Sequence, residues 1–143
     1  MTVSIILAAK GREVASVEPS AKLSSAVALL AEKRIGAVVV LGVDRRMVGI
    51  LSERDVVRAL AEHGTLALDA PVSRIMTRKV STCTESETIP SIMERMTQGK
   101  FRHVPVVDQG RLTGIISIGD VVKHRLQQME SDSAAMRDYI LTA

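Results

Sequence analysis

Two Ser-x-x-Asp pairs carry the chemistry most open to reading: Ser52 with Asp55, and Ser117 with Asp120. Each follows a glycine and two aliphatic residues, Gly49-Ile50-Leu51 in one case and Gly114-Ile115-Ile116 in the other. At the mouth of a helix, a hydroxyl and a carboxylate so spaced form a capping box that satisfies amides of the first turn. The same groups can serve a ligand. The carboxylate can accept both hydroxyls of a ribose, while the hydroxyl and the free helix amides face a ribose or phosphate oxygen. The two roles are compatible, and the spacing leaves both open.

The elements that must position these pairs are themselves duplicated, about 66 residues apart. Ile35-Gly36-Ala37-Val38-Val39-Val40 answers to Phe101-Arg102-His103-Val104-Pro105-Val106. Leu23, Ala26, Val27 and Leu30 predict a helix with one apolar face, and Ile89, Ile92, Met93 and Met96 repeat it. Strands are expected over 37–41 and 103–107, then turns rich in Asp and Gly at 42–46 and 108–111. Further strands over 47–51 and 112–116 lead into second helices near Asp55 and Asp120. Leading strands at 14–17 and 80–83 complete a β-α-β-β-α order in each copy. Gly64 and Pro71 punctuate the join, and Val3 to Leu7 aligns with Val72 to Met76. The expected division is 1–66, 67–128 and a C-terminal helical extension over 129–143. There Val122, Leu126, Met129, Ser133, Met136 and Ile140 draw a 4-3-4-3-4 seam along a long helix, lying on the protein's own surface or meeting a symmetry mate. Units this small cannot each bury a core alone, so the copies should pack together and leave related clefts between them.

Composition excludes several classes. With 143 residues, 46% hydrophobic and 24% charged, the chain suits one folded domain. No apolar run approaches the roughly 18 residues of a membrane span, and no basic segment precedes the apolar N-terminus, so a cytoplasmic protein is expected. Cys83 is the single cysteine, which leaves no internal disulfide and no cysteine-based zinc site. His63, His103 and His124 are scattered without ligand spacing, so no metal is expected. The net charge of +3 is spread among acidic residues, and Phe101 and Tyr139 are the only aromatic side chains, which argues against nucleic acid. No nucleophile elbow, Walker loop, His-Glu-x-x-His helix or paired Cys motif occurs, so no enzyme is expected.

In its duplicated Gly-h-h-Ser-x-x-Asp (h, apolar), with Arg102-His103-Val104-Pro105-Val106-Val107 and Val72-Ser73-Arg74-Ile75-Met76-Thr77, the chain resembles the CBS domain family, named after cystathionine β-synthase. The resemblance implies a stand-alone Bateman module, an α/β (α+β) fold of tandem repeats related by a pseudo-twofold axis, with clefts that in many members hold adenosine nucleotides. It carries the ribose role to Ser52, Asp55, Ser117 and Asp120, and a phosphate role to Arg102 and His103. Gly36 and Ala37 hold the latter positions in the first copy, so that cleft would need Arg54, Arg58 or a residue of the other copy for phosphate. Plainer readings remain for these four: a solvated strand end, and exposed helix positions. Ile35, Met76 and Val104 are candidates to hold the base and equally candidates for the core. The reading preferred is a sensor for AMP, ATP or NAD(H) that acts on a separate protein as a homodimer. The alternative is a ligand-independent scaffold.

Overall fold

In the computed structural model, which describes residues 1–142, the first repeat comprises α1 (Val3–Lys10), β1 (Ser16–Val17), α2 (Leu23–Lys33), β2 (Ala37–Leu41), β3 (Met47–Ser52) and α3 (Glu53–His63). A 3-10 segment, Gly64–Asp69, leads to α4 (Val72–Ile75), α5 (Ile89–Gly99), β4 (His103–Asp108), β5 (Arg111–Ser117) and α6 (Ile118–Thr142). The apolar spacing does what it predicts: Leu23, Ala26 and Leu30 on α2, and Ile89, Ile92 and Met96 on α5, turn inward. Both helices stop at a basic residue in the left-handed region, Arg34 (φ 54°) and Lys100 (φ 57°), where glycine is the usual choice.

β2 pairs in parallel with β1 and antiparallel with β3, Val39 facing Ser16 on one side and Ile50 on the other. β4 and β5 form the matching antiparallel pair, with Val104 facing Ile116. The leading strands are shorter than expected. β1 keeps two residues, and its counterpart shrinks to a single parallel bridge between Cys83 and Val106. The ladder reaches only Cys83, which donates to the Pro105 carbonyl and accepts from Val107, while Val80 and Ser81 line a cleft instead.

The apolar cores group the chain differently from the sequence repeat. Val3, Ile6 and Leu7 of α1 pack with Ile89, Ile92, Val104 and Ile116 of the second repeat. Val72 and Met76, around α4, pack with Leu23, Val38 and Leu51 of the first. Backbone hydrogen bonds pin the exchange in duplicate. Val3 N–H donates to Glu87 and Ser4 to Glu85, while Met1 accepts from Ile89; correspondingly, Val72 donates to Ala21 and Ser73 to Pro19, while Ala70 accepts from Leu23. The division expected at 66/67 follows the sequence duplication, whereas each core recruits the short helix that opens the other copy. No break in α6 marks the expected division at 128/129.

Candidate functional site

β3 and β5 end in the serines that cap α3 and α6, so each Ser-x-x-Asp sits at a strand-to-helix corner. Asp55 N–H donates to Ser52 Oγ (3.3 Å) and Ser52 N–H to Asp55 Oδ2 (2.9 Å). Asp120 N–H donates to Ser117 Oγ (3.1 Å) and Ser117 N–H to Asp120 Oδ2 (2.9 Å). Both capping boxes are formed, and both open onto a cleft.

The first cleft, of about 500 Å³, brings Ser52, Asp55, Arg54 and Arg58 of the first repeat to Arg102 and His103 of the second. Asp55 is 5% exposed; its Oδ1 accepts from Thr77 Oγ1 (3.0 Å) and lies 3.8 Å from the Arg58 guanidinium. Lys79, Lys100 and Phe101 complete the wall that concerns a ligand: two more cations and an aromatic ring. The second cleft, of about 1090 Å³, joins Ser117 and Asp120 to Ile35, Gly36 and Ala37. Its cations are Lys10, Arg12, Lys33, Arg34 and Arg45. Each cleft therefore sets five cationic side chains against two carboxylates, Glu53 and Asp55 or Glu13 and Asp120, which favours an anionic ligand in both.

This distribution corrects one expectation. Arg54 and Arg58 lie in the cleft that already has Arg102, which Gly36 also borders, and not in the second cleft, which Ala37 lines. They are on α3, which opens at the Asp55 corner and so faces the second repeat's strand. The cations beside Ala37 come instead from the end of α1 and the residues after it (Lys10, Arg12), the end of α2 (Lys33, Arg34) and the turn between β2 and β3 (Arg45). Of the three candidate base contacts, Ile35 lines the second cleft. Val104 is fully buried in the second core and Met76 is buried in the first, and neither lines a cleft.

The two carboxylates differ in their partners. Lys10 Nζ donates to Asp120 Oδ2 (2.6 Å) and to the Ile115 carbonyl (2.9 Å). Burial works against ionisation of Asp120, but Lys10 and the Ser117 amide outweigh it and hold the carboxyl below its usual range. His103 lines both clefts, and its Cε1 lies 3.1 Å from where a Cβ on Gly36 would sit. Burial pushes its pKa down; Glu53 and Asp120 pull it up, while Lys10 and Arg102 add to the fall.

Sequence reasoning missed Thr77, Lys79 and Lys100 in the first cleft and Lys10 and Arg34 in the second. The duplication itself carried the signal for four of them. Lys10 and Lys79 follow the aligned segments that open each copy, and Arg34 and Lys100 terminate equivalent helices. No group of three or more His, Cys, Asp or Glu among the described residues could hold a metal ion, and no helix among them is long and apolar enough to cross a membrane.

The family model for the CBS domain matches residues 10–62 and 72–127. A solved CBS-domain containing protein from Agrobacterium tumefaciens is 48% identical, with a TM-score of 0.84 over 87% of this chain and 92% of that one. A CBS domain protein from Pyrobaculum aerophilum, solved in complex with AMP, is 31% identical, with a TM-score of 0.75 over 84% of this chain and 89% of that one. A relative from Acidianus ambivalens is 33% identical over 108 residues, 75% of this chain and 64% of its own length. The chain thus spans just under two thirds of that relative.

Proposed function

This chain belongs to the CBS domain family, and from that premise we propose that it is a regulatory module that binds an adenosine nucleotide beside Ser52 and Asp55 and signals to a separate protein. One observation carries the reading: a capped carboxylate from the first repeat meets Arg102 and His103 of the second across a single cleft. The acid accepts the ribose hydroxyls, and Arg102, His103 and Lys79 receive the phosphate by charge-assisted hydrogen bonds. The AMP complex of the Pyrobaculum aerophilum protein supports this ligand class, and AMP is our first choice over ATP and NAD(H). The cleft of Ser117 and Asp120 is a second, weaker site, because a diol there competes with an ammonium group 2.6 Å from the carboxylate, whereas at Asp55 it competes with the Thr77 hydroxyl and a guanidinium 3.8 Å away. Arg54 and Arg58 add to the field around the first site.

The repeats over 1–66 and 67–128 act as one non-catalytic module, in the cytoplasm and as a homodimer. A ligand biases its conformation only by the difference in its affinity for two states, so the partner reads a shift in population. Dye-reported thermal unfolding tests the reading, since the chain has no Trp for an intrinsic signal. At about 100 times its dissociation constant, AMP is expected to raise the midpoint by roughly 5 to 10 °C. Asp55→Ala should abolish most of that shift and Asp120→Ala little of it, each judged against its own ligand-free midpoint. A flat response to AMP, ADP, ATP, NAD(+), NADH and S-adenosylmethionine would overturn the nucleotide reading and favour the scaffold, for which the long exposed α6 speaks.

A further inference from the structure

α6 is a 25-residue helix that buries one side chain, Val121. At 1.5 Å per residue it extends about 37 Å, and its apolar seam faces solvent: Leu126 is 55% exposed, Met129 60%, Met136 60% and Ile140 65%. At about 100° per residue the seam lies well round the helix from Val121, His124 and Gln128, the more buried positions. The module therefore does not cover it. A single helix with so little tertiary support is marginal in water, and large apolar side chains along one line ask for a partner.

The charges beside the seam identify that partner. In heptad terms Leu126, Ser133 and Ile140 occupy a, and Val122, Met129 and Met136 occupy d. Arg125 and Asp132 then fall at g, and Lys123, Glu130 and Arg137 at e. In a parallel, in-register pair each g faces the following e of the other helix, so Arg125 meets Glu130 and Asp132 meets Arg137, all opposite in sign. An antiparallel pair that overlaps the whole seam sets Glu130 against Glu130, Asp132 against Asp132 and Lys123 against Arg137, all alike. Two antiparallel registers with favourable charges exist, but each covers only part of the seam: Arg125 facing Asp132 and Lys123 facing Glu130 over Val122 to Ser133, and Glu130 facing Arg137 over Met129 to Ile140. Among the described residues, none of Arg125, Glu130, Asp132 and Arg137 has an ion-pair partner in its own chain.

We infer that α6 pairs with α6 of a second copy as a parallel, in-register coiled coil whose orientation is set by Arg125–Glu130 and Asp132–Arg137 contacts. This specifies the homodimer proposed above, and it holds whether or not the clefts take a nucleotide, so failure of the ligand screen and failure of this pairing are separate results. Sedimentation equilibrium of the full chain gives the dimer constant. Arg125→Glu, on an exposed surface, should weaken dimerisation about tenfold or more. The double variant Arg125→Glu/Glu130→Arg should restore it, because the parallel pair is rebuilt with signs exchanged. In the antiparallel register over Val122 to Ser133 the same double variant would set the new carboxylate against Asp132 and the new guanidinium against Lys123, and would stay weak; in that over Met129 to Ile140, Arg125→Glu alone would leave the dimer unchanged. Met136→Cys adds an independent readout, since the native Cys83 is buried and its thiol is pushed up to about 11, chiefly by burial and further by Glu87. Mild oxidation should yield a disulfide-linked dimer, with circular dichroism unchanged. A monomer at micromolar concentration, a dimer indifferent to Arg125→Glu, a double variant that stays weak, or a Met136→Cys protein that resists cross-linking would each overturn the inference.

Discussion

Asp55 and Asp120 hold the same place in their repeats and bear different electrostatic loads. Thr77 gives Asp55 a neutral hydroxyl, with the Arg58 guanidinium farther off at 3.8 Å; the aligned position in the other copy is Ala8, and Lys10 supplies Asp120 with an ammonium group in direct contact instead. His103 stands between the clefts, held towards its neutral form by burial. Its pH effect has a definite sign. Above about 6.5 the ring is neutral in both folded and unfolded chains, and nothing changes. As pH falls through 6.5 the unfolded chain takes up a proton that the folded one refuses, so stability is lost. Asp120 does not contribute there, because the stability from its lowered pKa is present above the unfolded value of 3.8 and goes only as pH drops through the folded one. Urea midpoints measured at about pH 7 and about pH 5.5 should therefore decline in the native chain and change less in His103→Asn. An equal decline in both would assign the pH dependence elsewhere.

At the scale of elements, the glycine that opens each motif is where a short helix crosses a strand. A Cβ on Gly49 would lie 2.7 Å from Met76 Sδ and 2.8 Å from the Thr77 carbonyl oxygen. On Gly114 it would lie 2.7 Å from Leu7 Cδ2, and its nearest neighbours are all atoms of that one side chain. Leu7 and Met76 are aligned residues, so the same crossing is built twice, once against backbone and once against a movable side chain. Gly49→Ala is expected to cost about 1 to 3 kcal/mol, and Gly114→Ala distinctly less, as read from chemical denaturation. Equal costs would mean that the Thr77 backbone shifts as readily as the Leu7 side chain. Much of this level is visible in sequence: the helix spacing of Leu23 to Leu30, the turns, and the capping serines. The cause of the glycines is not, because it depends on what passes over the strand.

For the whole molecule, the exchange of α1 and α4 ties the repeats together. Leu7 precedes the first repeat's strands, is 1% exposed and packs in the second core. Leu7→Ala should destabilise the protein by about 2 to 4 kcal/mol. Hydrogen exchange should quicken in α5, β4 and β5 more than in β2 and β3, since local opening follows the damaged core. A uniform rise would show that the two cores open as one unit.

The amino-acid sequence by itself determined the duplication, the helices with one apolar face, the paired strands and the two Ser-x-x-Asp corners, because periodicity and capping act between residues a few positions apart. It also held the seam of α6, for the same reason. Tertiary structure decided which copy each short helix serves, that Arg54 and Arg58 join Arg102 while Lys10 and Arg34 join Asp120, and that Met76 and Val104 belong to cores. Those assignments depend on contacts between residues far apart in the chain, some across more than a hundred positions, as Lys10 and Asp120 are. Local spacing has no term for them; the packing of two apolar cores and the twofold relation between repeats do.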